Sequence, residues 1–311
     1  EAYIVPTVVG DHIEYSIGHD PKKAPTASTI SGGKGRCLAC DALVENAYIR
    51  RQATSKGLGQ QLIAIVAEGD RQRIYLEPTQ AQGDVAVGTE RPADVPTQMV
   101  PTPNHDVDRL PMYGMPTWGD AFTTRQLVAL TTFSDLVGET RERVLRDALS
   151  TGMAEGERLE EGGSGAAAYA DSVATYLGIA VNRLTDSNNA LVTWSSSRDQ
   201  SRNLFARQAI PMSWDFCEVS PFAGAAGDLE VSARSLTSVL AALPAAGTGC
   251  ASQADAATRD YSGVVISTDP PYYDNIGYSD LSDFFYVWLR RSLKSIHPRL
   301  LSTVLVPKEE E

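Results

Sequence analysis

Two adjacent prolines, Pro270 and Pro271, constrain this chain more than any other feature. They come shortly after Val264-Val265-Ile266, a β-branched run that predicts a buried strand. Proline has no N–H to give to a sheet ladder, so a strand arriving here has to end. An amphipathic helix is expected from about Ser279, with Leu281, Phe284, Phe285, Trp288 and Leu289 on its buried face. The tetrapeptide Asp269-Pro270-Pro271-Tyr272 is thereby expected just past the carboxyl end of a strand. Open α/β sheets bind their ligands at that position.

The residue types suit one kind of chemistry. An exocyclic amine on adenine or cytosine is a poor nucleophile, because its lone pair is delocalised into the ring. The Asp269 carboxylate and the Pro270 carbonyl can each accept one amine N–H, which favours a pyramidal nitrogen whose lone pair faces a methyl donor. Proline at both central positions fixes the carbonyl direction at little entropic cost. Tyr272 offers a flat face for a base taken out of the helix. The alternative is a plain Pro-Pro turn with Asp269 as a local cap.

Asp269-Pro270-Pro271-Tyr272 resembles a motif of the amino-methyltransferases that use S-adenosylmethionine. The longer string TDPPYYDNIGYSDLSDFFYVWLRRSL resembles a zinc-ribbon-containing family of adenine-specific DNA methylases. Tyr113 to Val137, Asn46 to Gly69 and the GGKGRCLAC segment are similar to the same family. The resemblance implies S-adenosylmethionine as cofactor and DNA as substrate. It assigns catalysis to Asp269, Pro270, Pro271 and Tyr272, and the shaping of the base pocket to Tyr273, Asp274 and Asn275. It also implies a cofactor-binding acidic residue at Asp255; a surface-loop aspartate is the competing reading. As a non-catalytic module instead, the chain would bind DNA or other proteins of a modification or defence system.

The formal charge of −12 sits awkwardly with nucleic-acid binding, in which phosphate contacts dominate affinity. A local basic patch remains compatible with it, and Arg290, Arg291 and Lys294 at the end of the last helix form one candidate. No apolar run approaches 18 residues, so no membrane partner is expected. No basic-then-apolar leader opens the chain, and a cytoplasmic location is expected. Residue 1 is not Met, and the opening EAYIVPTVV predicts a strand already under way, as in an internal piece of a longer protein.

Four cysteines, two of them as Cys37-x-x-Cys40, point to a reducing compartment and a metal site rather than a disulfide framework. Two thiolates at this spacing can face one Zn²⁺ from a tight turn, and a structural zinc needs four ligands. His12 and His19 are the nearest candidates to complete the set. The resemblance instead places the other cysteine pair before the start of this chain. A pair of ordinary reduced cysteines is the alternative. Cys217 and Cys250 are expected to be packing residues.

The expected organisation has four spans. Residues 1–80 form a β-rich half zinc ribbon, with Tyr3 to Val9 and Ile13 to Ile17 as strands. Residues 81–116 lie in an exposed linker that starts near Gln80. Residues 117–245 are mainly helical. Thr123 or Thr124 caps a helix carrying Leu127, Leu130 and Phe133, and Gly152 to Gly165 forms a mobile loop. A second long helix covers Ala166 to Leu184 with Tyr169, Val173, Tyr176, Leu177 and Val181 on one face, and a shorter helix covers 198–212. Residues 246–311 form the methyltransferase catalytic segment. The fold class is α/β: part of a Rossmann-like sheet with a helical insert.

Ser220 to Gly227 mimics the glycine loop that holds the methionine end of the cofactor. Phe222 and Asp269 are 269 − 222 = 47 residues apart. A first and a fourth strand of a doubly wound sheet need roughly 60 to 90 residues between them. Spacing therefore argues against that role. Three functions stay open: an adenine DNA methyltransferase, an RNA methyltransferase, and a non-catalytic DNA- or partner-binding module.

Overall fold

The computed structural model describes residues 2–26, 28–31, 34–101, 109–243, 247, 249–270 and 276–308. It mixes helix and strand, with small antiparallel sheets. Among the described residues no ladder is parallel and none exceeds three strands. The chain forms two compact units, Glu1–Arg91 with Leu110–Pro116, and Pro92–Arg109 with Thr117–Glu311. Among the described residues no helix is long and apolar enough to cross a membrane.

The first unit begins with a hairpin of β1 (Tyr3–Val9) and β2 (His12–Gly18), in the register Tyr3↔Gly18 to Val9↔His12. Tyr3 donates from its hydroxyl to the Asp20 carbonyl at 3.0 Å. A small sheet follows from β3 (Ile30–Ser31), β4 (Lys34–Arg36) and β5 (Leu43–Glu45), with Cys37 and Cys40 in the turn between β4 and β5. Helix α1 (Asn46–Lys56) buries Ala53. The apolar stretch after it forms the hairpin of β6 (Ile65–Glu68) and β7 (Arg73–Leu76). The expected linker opens instead as helix α2 (Gln80–Gly88), because Thr79 and Gln82 exchange capping bonds at its start.

In the second unit Thr123 caps α3 (Thr124–Ser150), accepting from the Gln126 amide at 3.2 Å. Gln126 returns the bond by accepting the Thr123 amide at 2.9 Å. Leu127, Leu130, Phe133 and Val137 line the buried face of α3. The loop from Gly152 to Gly165 is held rather than loose. The Ala166 and Ala167 amides bond the carbonyls of Ala154 and Glu155, each at 2.9 Å. A Cβ on Gly163 would fall 2.0 Å from the Glu157 oxygen, so only glycine fits there.

Helix α4 (Ala166–Thr185) buries Val181 of the expected face but otherwise turns small residues inward in place of the expected tyrosines. Tyr169 and Tyr176 are exposed, while Ala170, Ala174, Gly178 and Val181 are buried. The reason is close packing. A Cβ on Gly178 would sit 2.6 Å from the Leu293 side chain, so small residues set how near this helix can approach its neighbour. The hairpin of β8 (Trp194–Ser195) and β9 (Gln200–Ser201) and helix α5 (Leu229–Ala242) follow. The chain then reaches α6 (Tyr278–Leu293). Its inner face places Phe284 beside Phe122 at 5.5 Å and Trp118 at 6.0 Å, with Trp288 5.3 Å from Phe122. Trp118 and Phe122 are thus core residues.

Candidate functional site

Asp269 and Pro270 lie in an exposed, irregular segment ahead of α6. Asp269 is exposed, and among the described residues its carboxylate takes part in no hydrogen bond. Pro271, Tyr272, Tyr273, Asp274 and Asn275 lie outside the described residues. The expected buried strand before them is not formed. Val264, Val265 and Ile266 are 61%, 99% and 55% exposed and belong to no ladder. β-Branched residues favour a strand only where a neighbouring strand and a packed face receive them, and no described strand lies alongside. Gly263, with φ +75°, instead ends a local turn in which Val264 bonds the Tyr261 carbonyl.

Asp255 has a local structural role. Its carboxylate accepts the Ala257 amide at 2.9 Å, and its carbonyl accepts from Thr258 at 3.3 Å. It forms no hydrogen bond or ion pair with Asp269 among the described residues.

The glycine-rich stretch before α5 is filled from within. Asp228 caps α5, accepting the Glu230 and Val231 amides at 2.7 and 3.1 Å. Its other oxygen accepts the Gly224 amide at 2.8 Å. Burial opposes the charge on Asp228, but the Gly224, Val231 and Glu230 amides and Arg234 hold its carboxyl below the ordinary carboxylate range. The amide and helix start that could receive a ligand's carboxylate therefore already serve one. Phe222, 77% exposed, stands beside them.

Cys37 and Cys40 form a tight turn. The Cys40 and Ala39 amides hydrogen-bond the Cys37 sulfur and lower its pKa below that of an ordinary thiol, with the Cys40 thiol adding to the effect. Amides aimed at a sulfur suit a thiolate ligand. The pair fits half of a four-ligand zinc site. Among the described residues no group of three or more His, Cys, Asp or Glu side chains is placed to hold a metal. Both ring nitrogens of His12 face carboxylates, Asp11 at 3.5 Å and Glu14 at 3.3 Å, which draws it away from the ligand role expected for it.

No family model, curated protein or solved structure matches this chain. The site is therefore read from its own residues.

One feature of the second unit is not legible in the sequence. Residues 198–212 are not a short helix. Asp186 takes up the backbone groups a helix would use: its carbonyl accepts the Leu204 amide at 2.8 Å, and its carboxylate accepts the Phe205 amide at 3.1 Å. Phe205 consequently packs on α6, 4.9 Å from Phe285 and 5.5 Å from Phe284. An open hollow of about 530 Å³ lies between this segment and the first turns of α6, lined by Phe205, Arg207, Gln208, Tyr278, Leu281 and Phe285 among others. The only signal available in the sequence was the wide spacing of the buried Leu204 and Ile210, which does not fit a helical face.

Proposed function

We propose that this chain carries the catalytic segment of an S-adenosylmethionine-dependent amino-methyltransferase acting on adenine in DNA. Asp269-Pro270-Pro271-Tyr272 carries the reading, supported by the exposure of Asp269 and Pro270. Asp269 and the Pro270 carbonyl accept the two N–H bonds of the target amine and turn its lone pair outward. Tyr272 stacks on the extruded base, and Tyr273, Asp274 and Asn275 shape the pocket around it. The cofactor supplies an electrophilic methyl group. With the cofactor bound, Asp269 and the Pro270 carbonyl would hold the amine with its lone pair toward that methyl group, and the methylated amine would release one proton to solvent. Preorganised acceptors raise the rate because they stabilise charge developing on the nitrogen.

In this reading the chain contributes part of a Rossmann-like sheet, although Val264 to Ile266 are exposed and in no ladder among the described residues. Cys37 and Cys40 supply half of a structural zinc site. The methionine end of the cofactor is held elsewhere than Phe222–Gly227, because Asp228 already occupies that loop. This last observation also favours the second reading, a non-catalytic DNA- or partner-binding module.

Asp269→Ala separates the two. In host cells carrying the variant gene, N6-methyladenine in genomic DNA should disappear, while the purified chain keeps its melting temperature. Methylation that persists unchanged in the variant removes Asp269 from the mechanism. A host whose DNA carries no such methylation even with the wild-type gene favours the module.

A further inference from the structure

The hollow beside α6 has a definite chemical character. Phe205 and Phe285 give it ring faces, and Arg207 is the one charged residue in its lining. Gln208 donates its amide to the Tyr278 hydroxyl at 3.3 Å. That bond leaves the Gln208 carbonyl free to accept a hydrogen bond and the Tyr278 proton free to be donated. The hollow therefore presents one donor and one acceptor beside an aromatic face, with a guanidinium among its walls. Arg207 forms no ion pair among the described residues. Neither do Arg198 and Arg202, which are exposed on the same segment. Nearby acidic groups are largely engaged: Asp186 by Asn203 and Phe205, and Asp280 by Lys308 at 3.8 Å. Asp199 is exposed in the segment and subtracts from its charge. Among the described residues these three arginines, within ten positions of a chain of net charge −12, form no ion pair.

We infer that this hollow is a contact site for one nucleotide of a single nucleic-acid strand, with the base on the Phe205 and Phe285 rings and its phosphate at Arg207. The inference deepens the amino-methyltransferase reading, and rests on it for choosing a strand over another aromatic anion. Tyr278 follows Tyr272 by six residues in the chain, so a strand whose target base is presented to the tetrapeptide can place a flanking nucleotide here. Ring stacking tolerates any base and the guanidinium reads only phosphate, so the site would hold the strand without reading its sequence.

The test uses the purified chain and a fluorescein-labelled single-stranded DNA of mixed sequence, about 20 nucleotides long to exceed the roughly 4–16 nucleotides of small single-strand sites. Anisotropy at several salt concentrations gives affinity and salt slope. Wild type should bind at low salt. Arg207→Ala should lower the slope of log affinity against log salt by about 0.7. Phe285→Leu, which keeps the packing apolar and removes the ring, should weaken binding about tenfold. Both variants should melt as wild type does. A strand carrying 5-iodouracil should photo-crosslink to peptides containing 205–208 or 278–285. No binding, an unchanged slope in Arg207→Ala, or crosslinks only outside those peptides would overturn the site. Competition by adenosine monophosphate at concentrations equal to the strand's would assign the hollow to a free nucleotide instead. Strand binding that needs Arg207 in a host without DNA methylation would sink the methyltransferase reading and keep this site. Methylation that needs Asp269 but tolerates Arg207→Ala would do the reverse.

Discussion

The Gly224 amide donates to the Asp228 carboxylate at 2.8 Å, so the glycine-rich loop ahead of α5 is closed by the chain's own acid. A ligand carboxylate arriving there would have to displace a buried, charged cap and meet its negative charge.

This chain alone should therefore show no S-adenosylmethionine binding by calorimetry at up to millimolar ligand. Losing two or three hydrogen bonds to a charged group, at roughly 1.5 to 3 kcal/mol each, weakens binding about a hundredfold or more. Micromolar binding that vanishes in Gly224→Val would make Ser220 to Gly227 the cofactor loop after all.

Asp228→Ala removes the cap of α5, and its cost should be about 1 kcal/mol, read as a lower melting temperature. If stability is unchanged, the capping bonds contribute nothing and the closed-loop argument loses its footing.

Asp171 on α4 has no exposed side-chain surface and joins Arg141 and Arg158, with both Nε–oxygen distances at 2.6 Å. Burial pushes its carboxyl up, but the Arg158 and Arg141 hydrogen bonds and the Leu159 amide outweigh that and hold the pKa below the ordinary value. A depressed folded pKa contributes stability above the unfolded carboxyl value of about 3.9 and loses it as pH falls through the lower folded value. Asp171→Ala should cost about 3 kcal/mol near neutral pH, because it removes the buried carboxylate from both guanidinium groups, while Arg141 keeps Glu142 and Arg158 keeps the Ser295 carbonyl. The gap between variant and wild type should shrink in denaturant melts below about pH 4, and a gap that stays constant there would deny the ion pair its role.

The cysteines should differ sharply in reactivity. Burial pushes the Cys217 thiol up to about 11, whereas the Cys40 and Ala39 amides lower that of Cys37. At about pH 8, iodoacetamide should label Cys37 well before Cys217, as followed by peptide mass spectrometry. The neutral Cys217 thiol contributes stability below its unfolded value of about 8.5, which is lost as pH rises toward the folded value of about 11. Equal labelling rates would place both thiols in the same environment.

Zinc should bind this chain in less than one equivalent per monomer, because Cys37 and Cys40 provide two donors where a structural site uses four. Elemental analysis after dialysis decides it. One tightly held zinc in a monomer would mean that a residue such as His19 completes the site.

The sequence by itself determined the elements whose signals are local. Thr123 or Thr124 announced the start of α3, the apolar spacing from Leu281 to Leu289 announced α6, and the strands expected from Tyr3 and Ile13 formed. Each rests on residues a few positions apart, which the backbone brings together whatever the rest of the chain does. The tertiary structure decided what depends on distant partners. Asp186 held Leu204 and Phe205 out of a helix, Leu293 selected the small-residue face of α4 at Gly178, and Asp228 closed the glycine loop. Val264 to Ile266 show the same rule from the other side. Their β-branched side chains predict a strand, yet a strand exists only in a ladder, and its hydrogen bonds come from another segment.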